Sequence, residues 1–432
     1  MGRLLGNAEK FTDKQVSETL TMLVEHGVKR GASDIHIEPH ERFVLVRYRI
    51  DGVLRGVHKL PRQALGMVMA QLKGLASLNT QDTQMPQEGE YTTDAGGQHI
   101  EVRLSTMPVY GGEKAVLHLS QEAGDPVDLA ALGFWGTALN NLKVILTSPH
   151  GLILVAGPRN SGVSSTLFSL LKDLNSPLVN IATVESDARH RLPGINQTYL
   201  GGGMSTQDGL QAALKQDPNI IMVDNIPDGA TANLAVHAAT TGHLVIAGLH
   251  ADGSLSALLR LRHAGVEPYL LMTGLRAGVG QRLVRKLCPD CRERYALSEE
   301  ECQQLEESFG ISTSPARKRL HELEQAAMAS LGNSAPLSST PNQVTHLWRP
   351  SEAGCETCGH SGYAGRTAIV EVLSQSDGLH KAMLSQGVAS VTALQNAAVK
   401  DGFVPMGLDG LIKAMRGITT VPEVLKALSG YA

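Results

Sequence analysis

"GLILVAGPRNSGVSST", residues 151–166, is the stretch that decides the fold class of this chain. It begins with a short apolar run, which is typical of a strand buried on both faces. A glycine, four residues, a second glycine, one further residue and a serine follow, which is the spacing of a phosphate-binding loop. The loop departs from that pattern at one position, because Val163 stands where a lysine is expected.

The sequence after the loop continues the alternation of apolar runs and helix-length segments. "LVNIATV", "NIIMV" and "LVIAGL" are short runs of this kind. Buried strands that alternate with helices predict an α/β fold with a mainly parallel sheet, here over residues 129–285. Phosphate sites in such sheets lie beyond the carboxyl ends of the strands, and the loop directly follows the first run.

The segments around this core predict three further regions and a linker. Residues 1–120 combine a helical pattern with alternating strands and a hairpin turn at Asp51-Gly52, which indicates a small α+β domain. Residues 121–128, "QEAGDPVD", have the composition of a linker. Residues 286–372 form a cysteine-containing subdomain in which "GNSAPLSSTPNQ" is a flexible insert, and residues 373–432 are a helical tail.

Composition places the chain among ordinary globular proteins. It has 432 residues, 42% of them hydrophobic and 19% charged, with a net charge of −4. This length suits about two to four domains, and no basic arm suggests a nucleic-acid partner. No apolar stretch approaches the roughly 20 residues that span a bilayer, and the first residues lack a secretory signal. We therefore predict a cytoplasmic protein with no direct membrane insertion.

Four of the five cysteines form two C-x-x-C pairs, Cys288 with Cys291 and Cys355 with Cys358. Four thiolates from such pairs can surround a structural zinc ion. The pairs are farther apart than in a compact zinc ribbon, so two unrelated reduced or redox pairs are the alternative. Cys302 is interpreted as a packed thiol beside a capping box.

The loop keeps most of the residues that bind a phosphate. Glycines let backbone N–H groups curl around the phosphate, and the serine hydroxyl binds magnesium. A charge-assisted hydrogen bond contributes about 1.5–3 kcal/mol, so the missing lysine predicts weak binding of ATP or ADP with Mg²⁺. Arg159 could lend a charge or could face solvent. The predicted nucleotide-binding residues are Gly157, Ser161, Gly162, Val163, Ser164 and Ser165.

A second candidate element is "QDPNIIMVDNIPDG", residues 216–229, an apolar strand that ends in polar residues. A carboxylate at such a strand end can order a metal or activate water beside the γ-phosphate. Asp224 and Asn225 occupy this position. Many strands end in Asp-Asn turns, so the pattern alone is weak.

Long motifs resemble one family over residues 16 to 430. "ASDIHIEP", "RYRIDGVLR", "VRLSTMPVYGGEKAVL", "TGHLVIAGLH", "QRLVRKLCPDC" and "GCETCGHSGYAGRTAIVEVL" occur in the family's order. They resemble the secretion ATPases of type II secretion systems and the assembly motors of type IV pili. The resemblance implies a RecA-like P-loop core, a zinc-knuckle subdomain and a helical tail. It also implies a hexameric cytoplasmic ring that acts on an inner-membrane platform protein. The family's longer N-terminal recruitment domain is expected to be absent.

The departures from the family's pattern concentrate on its chemical groups. Val163 replaces the lysine of the loop, and Asn225 replaces the glutamate of the strand-end motif. The family's acidic box reads Val-Glu-Asp-Pro, and here Glu185 is kept while Ser186 and Asp187 replace the next two residues. A positioned acid–base group contributes about 10²–10⁴ in rate, so hydrolysis is expected to be lost or very weak. Glu185 and Asp224 are the carboxylates that could substitute for the glutamate that is missing at position 225.

Other candidate residues remain open between two interpretations. His243 and His250 either sense the γ-phosphate or are ordinary histidines at a strand edge. In the family, arginines of the N-terminal domain reach a neighbouring subunit's nucleotide. Arg103 is retained for that contact, and Lys114 stands where a second arginine is expected. Solvent-exposed charges on a strand are the alternative.

The sequence therefore leaves three functions open. The favoured one is a pseudo-ATPase that binds nucleotide weakly and acts as a structural or regulatory ring component. It would form a homo-hexamer or a mixed ring with an active paralogue, peripheral to the inner membrane through its partners. The alternatives are an active hexameric motor for pilus assembly or protein secretion, with relocated catalytic groups, and a scaffold without nucleotide.

Overall fold

The structure is a computed structural model that describes residues 12–121, 126–186, 191–201, 203–331, 337–385 and 390–430. The chain divides into two compact units, residues 1–124 and 125–432, and each is described by itself. The predicted linker spans this division, and residues 122–125 within it lie outside the described residues. Within the described ranges, no helix has both the length and the apolar character that crossing a membrane requires.

Over residues 12–121, the first unit is a six-stranded antiparallel sheet with two α-helices and a short 3-10 helix, Arg62–Ala64. Its elements are α1 Asp13–Lys29, β1 Ala32–Pro39, β2 Phe43–Ile50, β3 Val53–Pro61, α2 Leu65–Leu75, β4 Gln87–Ala95, β5 Gln98–Val109 and β6 Gly112–Gln121. The strand order is β3-β2-β1-β6-β5-β4. Asp51 and Gly52 both have positive φ, 50° and 83°, as a two-residue hairpin turn requires. The α+β character predicted for this region is observed.

One face of this sheet is apolar and the other is charged. Residues such as Ile35, Ile37, Val46 and Leu117 are fully or almost fully buried in one cluster with the helices. The intervening positions of β1 carry Asp34, His36 and Glu38, because side chains alternate between the faces of a strand. The charged face is therefore a consequence of the strand period.

The second unit contains the α/β core and everything that follows it. Its first part comprises α3 Leu129–Leu132, α4 Gly136–Ile145, β7 Gly151–Gly157, α5 Val163–Leu174, β8 Ile181–Glu185, β9 Asn196–Tyr199, α6 Thr206–Leu214, β10 Ile220–Val223, α7 Gly229–Thr240, β11 Leu244–His250, α8 Ser254–His263, α9 Pro268–Gly274 and β12 Leu275–Leu287. Its second part comprises β13 Arg292–Ala296, α10 Glu299–Phe309, α11 Ser314–Ser330, β14 His346–Pro350, β15 Tyr363–Ser374, α12 Asp377–Leu384, α13 Val391–Lys400, α14 Met406–Met415 and α15 Val421–Leu428.

The central sheet has the order β15-β12-β7-β11-β10-β8-β9. Neighbours from β12 to β9 pair in parallel, and only β15 joins antiparallel, at the edge. Every residue of β7 is buried. Leu152 and Leu154 belong to the apolar cluster on one face, whereas Ile153 and Val155 belong to the cluster on the other. The α/β fold with a parallel sheet is therefore confirmed.

The segment between the cysteine pairs is more ordered than its composition suggests. Residues 332–336 of the predicted flexible insert lie outside the described residues. After them, Ser338 and Ser339 are buried, with exposed fractions of 3% and 6%. Their backbone N–H groups donate to the fully buried carboxylate of Glu324 on α11, at 2.9 and 3.1 Å. These bonds connect the serines to α11, a contact that the composition of the segment does not reveal.

Candidate functional site

The phosphate loop lies between Gly157, the last residue of β7, and Val163, the first residue of α5. Two of its residues have left-handed backbone conformations, Asn160 with φ 62° and Gly162 with φ 87°. Asparagine tolerates this region better than most residues other than glycine, because its short polar side chain can bond locally. The loop therefore adopts the curled shape with an asparagine at position 160.

The first turn of α5 is open to a ligand. Its N-cap is Gly162, and no side chain caps the helix. The first N–H groups of any helix lack partners within the helix, and the helix dipole makes this end favourable for anions. Ser164 and Ser165 are exposed there, and Arg159 in the loop is exposed as well. The geometry suits a phosphate group.

Gln281 on β12 is a residue of this site that the sequence analysis did not single out. It is 1% exposed. Its Nε2 donates to the carbonyl of Ser161 at 2.9 Å, and its Oε1 accepts from the hydroxyl of Thr166 on α5 at 2.7 Å. The available signal was one amide inside the mainly apolar run "AGVGQRLV". A polar side chain that is buried in such a strand needs hydrogen-bond partners.

Val163 takes part in core packing. It is partly buried and contacts the apolar cluster to which Ile153 of β7 and Leu170 of α5 belong. A valine side chain has no donor for a phosphate oxygen. The charge that a lysine supplies to the loop is therefore missing, while the helix that follows keeps its packing.

The polar residues of the other strand ends reach the same edge of the sheet as the loop. His250 of β11 is level with Gly157 of β7. Val223 of β10 is level with Val184 of β8, so Asp224 and Glu185 follow at equivalent positions. The structure thus brings together the loop, His250, Asp224, Asn225 and Glu185, as the rule for carboxyl ends of parallel strands predicts.

Both carboxylates at this edge are engaged by neighbouring groups. Glu185 is 1% exposed, and its Oε1 accepts from the Thr183 hydroxyl and from Nε2 of Gln197, the latter at 3.0 Å. Asp224 Oδ2 accepts from the backbone N–H of Ser186 at 2.7 Å. These contacts tie β8 to β9 and to the end of β10. Asp187 lies outside the described residues.

His243 does not join the other site residues. It precedes Leu244, the first residue of β11, and its carbonyl accepts from the N–H of Gly151 at the start of β7. It therefore lies at the amino edge of the sheet, about 23 Å from His250 at the strand rise of about 3.3 Å per residue. Its Nδ1 is 3.2 Å from the Ala238 carbonyl. Of the two interpretations, the structural one fits His243.

The candidate cations of the first unit are paired on its charged sheet face. Lys114 and Arg47 donate to Glu38 Oε1 at 2.9 and 2.7 Å, and Arg103 donates to Glu88 at 3.0 Å. Burial raises the pKa of Glu38, but the hydrogen bonds from Arg47 and Lys114 lower it by a larger amount. The pKa of Glu38 therefore lies below its ordinary value. Within the first unit, these cations form ion pairs between neighbouring strands of the sheet.

The four predicted ligand cysteines form one cluster. The Sγ atoms of Cys288, Cys291, Cys355 and Cys358 all lie within 4.8 Å of one another and can hold a metal ion. The closest pairs are 3.6, 3.7 and 3.8 Å apart. A tetrahedral zinc ion with Zn–S bonds of about 2.3 Å separates its ligands by about 3.8 Å, so the cluster fits.

Hydrogen bonds prepare one of these thiols for ionisation. The backbone N–H groups of Cys355 and Gly362 donate to Cys358 Sγ at 3.3 and 3.2 Å. Burial raises the pKa of Cys358, but these bonds outweigh it and lower the pKa to about 6. Cys302 lies apart, and its Sγ donates to the Val344 carbonyl at 3.3 Å. The capping box of Ser298 and Glu301 is present as predicted.

The family model described as Type II/IV secretion system protein matches residues 9–426. The chain belongs to this family. Over 420 residues it is 37% identical to the type II secretion system protein E of Dickeya dadantii (strain 3937), covering 96% of this chain and 76% of that protein. It is 36% identical over 420 residues to the type IV pilus assembly ATPase PilB of Thermus thermophilus, covering 97% and 42%.

Solved structures of ATPases share the fold of this Type II/IV secretion system protein. The ATPase DotB of Legionella pneumophila matches with a TM-score of 0.65 at 17% identity, over 99% of this chain and 98% of that one. The pilus retraction motor PilT with bound ADP matches with a TM-score of 0.57 at 18% identity, over 94% and 96%. At these identities the likeness concerns the fold, which agrees with the sequence prediction.

Proposed function

We propose that this Type II/IV secretion system protein is a pseudo-ATPase that binds nucleotide weakly and serves as a structural or regulatory ring component. The observation that carries the proposal is the combination of a well-formed phosphate loop with an apolar residue, Val163, at its charge position. The loop geometry supports binding. The missing lysine, together with Asn225 at the strand end, argues against turnover.

The residues of the loop account for binding as follows. Phosphate oxygens would accept from the open N–H groups at the start of α5, where Gly162 leaves the first turn uncapped. A magnesium ion would be held by the exposed hydroxyl of Ser164, and it would supply charge neutralisation for the phosphates. Val163 adds no charge, so affinity is expected to be about ten- to a hundredfold lower than with a lysine.

The rival function is an active ATP-hydrolysing motor with relocated catalytic groups. It is favoured by Glu185 and Asp224, whose carboxylates follow neighbouring strands at the edge where the loop lies. Against it, Glu185 already accepts hydrogen bonds from Thr183 and Gln197. A general base must reach the attacking water, and a carboxylate engaged in this way would first have to change partners.

Two further parts of the proposal concern the metal and the partners. We propose zinc as the occupant of the cysteine cluster, because four thiolates at tetrahedral spacing are typical of structural zinc. The named relatives belong to type II secretion and type IV pilus assembly. By that kinship we propose a hexameric or mixed ring at the cytoplasmic face of an inner-membrane platform protein, with Arg103 and Lys114 facing a neighbouring subunit's nucleotide.

Calorimetry of the purified chain with millimolar Mg-ADP and Mg-ATP tests the binding step. The matched control is Gly157→Val, because even a Cβ atom at Gly157 would lie 2.1 Å from Ser161 Oγ and 2.8 Å from the Gln281 carbonyl. We expect weak binding to the unaltered chain and none to the variant. Absence of heat with the unaltered chain would favour the scaffold without nucleotide.

A further inference from the structure

Gln281 contacts the phosphate loop at two points and the helix that follows it, α5, at a third. Its backbone carbonyl lies against Gly157, where a Cβ atom would be only 2.8 Å away. Its side-chain amide donates to the Ser161 carbonyl at 2.9 Å and accepts from the Thr166 hydroxyl at 2.7 Å. One residue of β12 therefore touches the entry of the loop, its middle and the first turns of α5.

The orientation of this amide is fixed by its partners. The Ser161 carbonyl can only accept, so the NH₂ group must face it, and the oxygen must then face the Thr166 hydroxyl. Gln281 is 1% exposed and Thr166 is 1% exposed, so water is poorly placed to replace either bond. Leaving a buried donor or acceptor without a partner costs more than an average hydrogen bond contributes.

We propose that Gln281 is the positioning residue of the phosphate loop, holding it in the conformation that receives phosphate before any ligand arrives. Gln281 does not itself touch the nucleotide. Its side chain fixes the carbonyl of Ser161 to β12. Gly162 and the first N–H groups of α5 are thereby held in the orientation that a phosphate group would meet. In a loop without a lysine, this pre-ordering supplies a larger share of the affinity, because a preformed site loses less conformational entropy on binding.

The effect of Gln281 on nucleotide affinity rests on the proposed nucleotide function. The effect of Gln281 on the order of the loop does not depend on that function. Two measurements therefore accompany each variant. Hydrogen exchange of the ligand-free protein reports the order of residues 158–166, and calorimetry reports the affinity for Mg-ADP.

The variants are Gln281→Leu and Gln281→Met, which both keep the approximate size of the side chain and remove both bonds. The control is Gln375→Leu, because Gln375 also donates its amide to a backbone carbonyl, that of Met272 at 2.9 Å, but away from the loop. We expect exchange in residues 158–166 to accelerate at least about tenfold in both Gln281 variants, with an Mg-ADP affinity lower by about tenfold. The control should change neither.

Thr166→Val is a milder variant that keeps the shape of the side chain and removes the hydroxyl. It should accelerate loop exchange less than Gln281→Leu does, and it should add nothing in the Gln281→Leu background, because the bond between Gln281 and Thr166 is already lost there. This variant decides the matter if the Gln281 variants do not fold.

Unchanged exchange in the loop would overturn the proposal. So would an acceleration spread equally over β7, β12 and the loop, because that result indicates general loss of stability. If the unaltered chain binds no Mg-ADP, the nucleotide function fails, while the exchange measurement still decides the role of Gln281.

Discussion

Val163 shows how a single side chain can separate the shape of a site from its chemistry. The loop around it keeps the left-handed residues and the open helix start of a phosphate site. Valine fills an apolar contact beside β7 and α5 and contributes no charge. Because the backbone geometry is intact, restoring the charge should restore affinity.

We therefore expect Val163→Lys together with Asn225→Glu to raise the affinity for Mg-ADP about ten- to a hundredfold, since a charge-assisted hydrogen bond contributes about 1.5–3 kcal/mol. Calorimetry on both proteins measures this difference. Val163→Met with Asn225→Glu is the control, because methionine has the reach of lysine without its charge. Equal affinity of the lysine variant and the unaltered chain would mean that the loop geometry does not support phosphate binding.

Individual site residues were predictable where strand order determines their place. Asp224, Glu185 and His250 follow apolar runs, and carboxyl ends of parallel strands share one edge. His243 precedes its run, so the same rule assigns it to the opposite edge. Gln281 was not recognised, because its partners Ser161 and Thr166 are more than 100 residues away in sequence. The local signal, a polar residue inside a mainly apolar strand, does not reveal which groups its amide contacts.

At the scale of elements, a partly buried ion pair joins β12 to α15. Arg285 donates to both carboxylate oxygens of Glu423, at 2.9 and 2.6 Å. Burial raises the pKa of Glu423, but the hydrogen bonds and charge of Arg285 outweigh it, so the pKa lies below its ordinary value of 4.5. The ionised carboxylate thus stabilises the fold above about pH 4.5, and this contribution is lost as the pH falls towards the lowered pKa.

Glu423→Gln is expected to lower the free energy of unfolding by about 1–3 kcal/mol at pH 7, because a charged hydrogen-bonded pair is replaced by a weaker neutral contact. The difference from the unaltered chain should shrink as the pH falls below about 4.5. Urea unfolding followed by tryptophan fluorescence at several pH values measures it. A difference that stays constant down to pH 3 would contradict the assignment.

The elements themselves were largely predictable from pattern. The turn at Asp51-Gly52, the capping box at Ser298 and the helix that begins at Ser314 depend on neighbouring residues only. The bonded segment after residue 336 was not predictable, because its order depends on Glu324 and on a second contact, from the Ser338 hydroxyl to the Met415 carbonyl at 2.8 Å. Local composition there is typical of a flexible loop.

At the scale of the whole molecule, the cysteine cluster connects distant parts of the second unit. Cys288 follows β12 directly, whereas Cys355 and Cys358 precede β15, which pairs with β12. A metal ion held by these cysteines would link the segment after β12 to the segment before β15. Structural zinc sites contribute folding free energy directly.

We expect one zinc ion per chain, with removal by a chelator lowering the melting temperature. Cys355→Ser should lose the metal, because it removes one of four ligands. Metal analysis and thermal unfolding measure both effects, and Cys302→Ser is the matched control, since Cys302 lies outside the cluster. Less than one zinc ion per chain would contradict zinc binding at this cluster. A zinc content that Cys355→Ser leaves unchanged would contradict it as well.

We propose that this Type II/IV secretion system protein keeps the family's fold and has lost ATP hydrolysis. Steady-state ATP hydrolysis by the purified chain tests it most directly, with Gly157→Val as the blocked reference. We predict that the two rates are indistinguishable, while the unaltered chain alone binds Mg-ADP. Hydrolysis well above that reference, removed by Glu185→Gln or Asp224→Asn, would contradict the account and establish an active motor with relocated catalytic groups.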